Sequence, residues 1–348
     1  MNLDKKNTIT IEITSGTISR IFLLALLIIF LYLVRHILAI VLFSIVIASA
    51  VEPITHWAKR YRIPRVLTVI GIYLVTLGIL TTAFYIIVPA LFADLLDFVN
   101  NFSYTMSAKT AVQTLFGMVP NLPEALSGAL MQLFIGLQRS IQSFATGFFQ
   151  TSAAIFGGVF SLVLVVVISF YLSVQEHGIE KFLQIITPVS YENYILDLWS
   201  RSQRKIGRWL QGQILLGVLV GVLVFLGLTI LGVKYALMLA VLAAIFELIP
   251  IFGPIIAATP AVAIAFLHSP SLALMVVVLY IIIQQFESHL IYPIVVRKIV
   301  GVPSILVIIS MIVGGTLGGL WGMILAIPIV AVLIEFLNDL AAKKQLVA

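Results

Sequence analysis

Four polar side chains stand inside long apolar runs: Glu247, then Gln284, Gln285 and Glu287. A carboxylate at bilayer depth costs about 2.5–3.5 kcal/mol on insertion scales, so such a residue faces a polar interior and carries a function by default. Glu247 opens the stretch Glu247-Leu-Ile-Pro250-Ile-Phe-Gly253-Pro254, where Pro250 pushes Ile249 out of the α region and Pro254 suits the first turn of a new helix. Gln284 and Glu287, at i, i+3 spacing, share one side of a helix, and Gln285 adjoins them. Two chemistries fit these groups. A titratable acid can carry a proton in exchange for a monovalent cation, and carboxylates with carboxamides can hydrogen-bond a hydroxylated solute. The plainer alternative makes Glu247 a structural group that ties off loop amides.

Other chemistries lack their residues. Glu287-x-His289 has no third ligand and is not the His-Glu-x-x-His of a zinc protease, and His289 beside Tyr292 reads as interfacial, so no metal or cofactor is assigned. Ser288, Ser310 and Thr316 have no recognisable base, the chain has no cysteine, and it holds no Gly-x-x-x-x-Gly-Lys-Ser/Thr loop. The expectation is therefore a carrier driven by gradients or a partner and not an enzyme: first an exporter of a small polar solute, with a cation/proton antiporter as the alternative.

The elements that must position these groups follow from composition. With 61% hydrophobic and 10% charged residues, the chain is expected to be an all-α polytopic membrane protein with about eight hydrophobic segments. Its net charge of +6 sits in clusters beside the spans, which points to topology and anionic lipid instead of nucleic acid. The first two spans, at 19–34 and 37–54, are expected to form a tight hairpin across Arg35-His36. Lys59, Arg60, Arg62 and Arg65 then mark a cytoplasmic loop. A third span over 66–91 leads outside through Pro89. Residues 92–150 read as an external amphipathic segment whose Leu126, Leu130, Leu133, Leu137, Ile141, Phe144 and Phe148 seam needs a partner surface. Residues 151–209 hold span 4 and an interfacial helix with Ile195, Trp199, Ile206 and Trp209 on one face. The transport core covers 210–340, leaving 1–91 as scaffold and both termini cytoplasmic.

Within that core, residues 236–267 are too short on either side of the interruption to span the roughly 30 Å hydrocarbon layer, which takes about 20 helical residues. They read as a re-entrant hairpin. A second apolar run, 304–337, is interrupted by Gly314-Gly315-Thr316-Leu317-Gly318-Gly319 and is expected to be another, entering from the opposite face. Aligning Gly232-Val233 with Gly301-Val302 also superposes Gly253 on Gly322 and Ala257 on Ala326. One crossing plus one hairpin makes each unit odd, so the pair forms an inverted repeat. Paired interruptions of that kind frame a midplane transport site, here Glu247, Pro250, Gly253, Pro254, Gln284, Gln285, Glu287 and Thr316, with Glu247 and Glu287 coupling ions or protons.

The Glu-x-x-Pro-x-x-Gly-Pro block with Pro260 downstream, the preceding Gly207-Arg208-Trp-Leu-Gln211-Gly-Gln213, and Gln284-Gln285-x-Glu287 with Pro293 resemble the autoinducer-2 exporter family of bacterial permeases. The chain departs from the expected glycine-rich link after Pro293, where Arg297-Lys298 stand. The resemblance implies a multi-pass transporter of the bacterial inner membrane. Some members export autoinducer-2, a small polar solute, and others exchange sodium or lithium for protons. It also implies a homo-oligomer, with a pentamer expected.

Overall fold

The computed structural model describes residues 15–105, 161–291 and 303–347, and among them every regular element is helical. The seam at 126–148 and the link at Pro293 to Lys298 lie outside the described residues. The helices are α1 (Ser15–Leu33), α2 (Arg35–Arg60), α3 (Arg65–Thr105), α4 (Ser161–Val174), α5 (Gly178–Ile186), α6 (Glu192–Ile230), α7 (Ala236–Phe246), α8 (Phe252–His268), α9 (Pro270–Phe286) and α10 (Ser304–Val347). Five helices are long and apolar enough to cross a membrane, or six with the bent pair α4 and α5, which meet at 86°. Helices satisfy every backbone group within the segment, which is what lipid demands.

Three sequence expectations change. Arg35-His36 makes no hairpin: Val34 donates to the Phe30 carbonyl at 3.0 Å and Leu38 donates to Val34 at 2.9 Å, so the ladder carries across one kinked residue. No Gly, Pro or Asn stands there to reverse the chain, and an antiparallel helix pair needs a loop of about 2–5 residues. Secondly, α6 is one helix of 39 residues, where an interfacial helix and a separate span were expected. Its buried stripe, Ser202, Ile206, Trp209, Gln213, Leu216, Val220, Val224 and Leu228, keeps a 3.6-residue period throughout. Trp209 and Ile206, 2% and 4% exposed, therefore pack in the core against Val46, Met311 and Leu325 and do not face lipid headgroups. Thirdly, α3 runs through Pro89 to Thr105.

Small residues bring the backbones together. Gly217 and Gly221, one turn apart on α6, let α7 approach until an added Cβ would stand 2.8 Å from the Ala244 carbonyl and 2.9 Å from Ala244 Cβ, respectively. Gly207 does the same against the Ser49 backbone of α2, and Gln211 Nε2 donates to the Ala50 carbonyl at 2.7 Å beside it. In lipid, such close packing replaces the hydrophobic drive as the source of association. The end of α6 is a Schellman motif, with Val233 donating to Leu228 and Gly232 (φ 69°) donating to Thr229. Ser269 caps α9 by accepting from the Leu272 amide at 3.1 Å, with Pro270 in the first turn.

Both interrupted runs double back. A Cβ on Gly253 would overlap the Phe246 carbonyl, and one on Gly322 would overlap that of Gly314. Residues eight apart in a straight helix lie about 12 Å apart, so α10 reverses direction, at Gly319 (φ 59°, ψ −142°). That conformation is open essentially to glycine alone. The two reversal contacts, 246 with 253 and 314 with 322, coincide to within one residue under the 69-residue offset of the sequence alignment. Ile249 at the first reversal packs with Met311, Leu325 and Ala326 of the second.

Charged groups gather at the ends of the apolar stretches. Arg65 grips Glu52 through two bonds of 3.0 and 2.7 Å, and Arg201 joins Glu335 and Asp339 at 2.9 and 2.7 Å, with Lys205 also on Glu335. Lys59, 2.5 Å from Glu176, holds that exposed carboxyl below the usual range by hydrogen bonding and charge.

Candidate functional site

Glu247 sits at the break between α7 and α8, 1% exposed, and Glu287 begins a π-helical turn (Glu287–Ile291) at the end of α9, 7% exposed. The two carboxyl groups lie within hydrogen-bonding and Coulombic reach of each other. Gln284 Nε2 donates to Glu287 Oε2 at 3.1 Å, as the i, i+3 spacing predicts. From the facing side Gln213 of α6, 1% exposed, donates its Nε2 to the backbone carbonyl of Glu247. That carbonyl belongs to the last turn of a helix, where intrahelical donors run out, so the side chain supplies what the break removes.

The break itself carries strain. The Phe252 amide donates to the Pro250 carbonyl at 2.8 Å, closing a three-residue turn on Ile251 at φ 70°, ψ −55°. This is the rare γ-turn, and a β-branched residue there is an outlier. Pro250 and Pro254 flank the turn, and Gly253 is the point where the arms touch.

Among the described residues, Glu247 Oε2 and Gln213 Oε1 are buried here without a hydrogen-bond partner, as is Tyr280 Oη further along α9. Tyr280, Gln284 and Glu287 recur at intervals of four and three on α9, so they share a face. Buried polar atoms without partners are few in native proteins, and two of them, on Glu247 and on the Gln213 bonded to its carbonyl, stand beside the acid pair, where a ligand would satisfy them. Gln285 is exposed and stands apart from this cluster, its carbonyl taken by His289 Nδ1 at 3.1 Å. Thr316, also exposed, bonds the Val313 carbonyl at 2.8 Å within the second hairpin. Among the described residues, no group of three or more His, Cys, Asp or Glu side chains converges as a metal site.

Two contributors escaped sequence reading. Tyr280 had a signal, its place on the Gln284 and Glu287 face. Gln213 stood in a polar run read as part of a resemblance, and only the continuity of α6 turns it inward.

Apolar spans, two reversed hairpins and a buried polar cluster beside the first of them define a multi-pass membrane transport protein. The family described as AI-2E family transporter matches residues 21–342, and the chain belongs to it. It is 30% identical over 288 residues to a candidate transport protein of Bacillus subtilis (strain 168), YueF, covering 79% of this chain and 76% of the relative. It is 27% identical over 294 residues to a second from that organism, YrrI, covering 83% and 82%. A candidate permease of Escherichia coli (strain K12), PerM, is 26% identical over 172 residues, 48% of each chain.

Proposed function

We propose that the protein is a secondary transporter in which the Glu247 and Glu287 pair exchanges a proton for a monovalent cation such as sodium or lithium. One observation carries this reading: two carboxyl groups meet in a nearly solvent-free interior, and among the described residues no basic side chain is bonded to either. Two adjacent negative charges at that depth need a counter-charge, and a proton or a small cation supplies it. The unpartnered Gln213 Oε1 adds a neutral oxygen of the kind that sodium accepts. Opposite entry of the two hairpins, as an inverted repeat, opens such a site to one face at a time. The basic residues at 59–65 favour the cytoplasmic side for their face, in what this reading makes a bacterial inner membrane.

Export of autoinducer-2 or a similar small polar solute is the second reading. The carboxamides of Gln213 and Gln284 favour it, since they would bind hydroxyls, and the cation exchange would then energise the export. Homo-oligomeric assembly belongs to either reading.

Proteoliposomes holding a pH-sensitive dye separate the two. A sodium or lithium pulse should move protons in the wild type, while Glu247→Gln and Glu287→Gln, which keep shape and hydrogen bonding, should lose at least about tenfold in rate. Autoinducer-2 flux without any cation-dependent proton movement would sink the exchange reading and leave solute export.

A further inference from the structure

A cavity of about 460 Å³ lies elsewhere, between α2, the bend joining α4 to α5, and the first half of α6. Helix α2 lines it with Ala48, Glu52, His56 and Arg60, one residue per turn, and α6 answers with Ser200, Arg204 and Arg208. The two helices touch at Gly207 and Ser49 and diverge from there. From Ala48 to Arg60 the wedge is about 18 Å deep.

Its charges are unevenly employed. Four arginines and two glutamates line it. Arg65 is committed to Glu52 and, at 2.8 Å, to the Ser173 carbonyl, and Glu180 is paired with His177. Both acids are thereby occupied. Arg60, Arg204 and Arg208 are exposed and have no hydrogen-bond or ion-pair partner among the described residues. The wall between them holds a second donor set: α5 starts at Gly178 after an uncapped, left-handed His177, so its first-turn amides have no side-chain acceptor from that residue. Gly178 and Ile179 both line the cavity.

We propose that this cavity is a binding site for a phosphate-bearing anion, held by Arg60, Arg204 and Arg208 together with the first-turn amides of α5. Guanidinium forks match phosphate oxygens two at a time, and amides at a helix N-terminus add fixed positive potential. A dianion balances three unpaired cations better than a carboxylate does. The wedge opens at the end of apolar spans, so the phosphate can belong either to a phospholipid headgroup or to a soluble monoester. The site is independent of the carboxyl pair, and its failure would leave the proposed exchange standing.

The test uses the purified full-length protein in neutral detergent. One arm titrates inorganic phosphate and glycerol phosphate against thermal stability, with chloride at matched ionic strength. The other titrates phosphatidylglycerol by native mass spectrometry, with phosphatidylcholine as control. Saturable binding in either arm is expected, and the arm that responds identifies the source. The double variant Arg204→Gln, Arg208→Gln should weaken it about tenfold or more. Arg204→Lys with Arg208→Lys, which keeps charge and loses the fork, should fall between. Lys181→Gln, an exposed cation outside the cavity, should bind as the wild type does. No saturation in both arms, or equal losses in the Lys181 and arginine variants, would overturn the proposal.

Discussion

The turn at Ile251 offers a measurement in which two substitutions differ only in backbone freedom. Ile251 is 44% exposed, so removing its side chain costs some burial, but Ile251→Ala and Ile251→Gly forfeit nearly the same area. Their difference then isolates conformation. At an ordinary position glycine is worse than alanine by roughly 0.5–1 kcal/mol, because it loses more freedom on folding. At φ 70°, ψ −55°, a side-chain-bearing residue instead carries strain of about 1–3 kcal/mol, which glycine escapes. The sign should therefore reverse, leaving the glycine variant ahead by about 1 kcal/mol. For a chain of this size that is roughly 2 °C in Tm. Thermal unfolding of both purified variants in one detergent measures it. An alanine variant as stable as the glycine variant, or more so, would refute the strained turn. If the strain presets the break for Glu247, the glycine variant should also transport more slowly despite its higher Tm.

Gln213→Leu removes a donor to the Glu247 carbonyl, costing about 1–3 kcal/mol, but also deletes the unpartnered Oε1, returning a similar amount. Its Tm should move by less than about 3 °C while cation-driven proton flux falls about tenfold; normal flux would make Gln213 purely structural. Because the chain has no cysteine, single cysteines report orientation cleanly. Lys234→Cys, exposed between α6 and α7, should react with impermeant maleimide added outside whole cells, and Asn193→Cys, exposed at the start of α6, should not; the reverse pattern inverts the proposed orientation.

Legibility followed the strength of the local signal. Pro250 with Pro254 and the glycine cluster at 314–319 mark both reversals, because the residues that end helices are few and chemically distinct. Glu247, Gln284 and Glu287 stand out because lipid penalises them wherever they sit. Boundaries set by tertiary packing were harder. Arg35-His36 looks like a loop by charge, yet nothing there breaks a helix. Trp209 beside arginines looks interfacial until the uninterrupted stripe of α6 places it against α2 and α10. The strain at Ile251 has no sequence signal, since isoleucine is among the residues least suited to positive φ.

Helix α3 has a mechanical consequence. Its 41 residues make a rod about 60 Å long, twice the thickness of the hydrocarbon layer. The hydrocarbon layer takes only about 20 of these residues, so roughly 30 Å of the rod has to stand outside it. Pro89 lies inside the rod, past its middle, and lacking an N–H it leaves the ladder one rung weaker there than anywhere else along it. The stretch beyond Pro89 is an oar and Pro89 its rowlock: a swing of roughly 10° there sweeps the tip at Thr105 by about 4 Å while the shaft before it keeps its place.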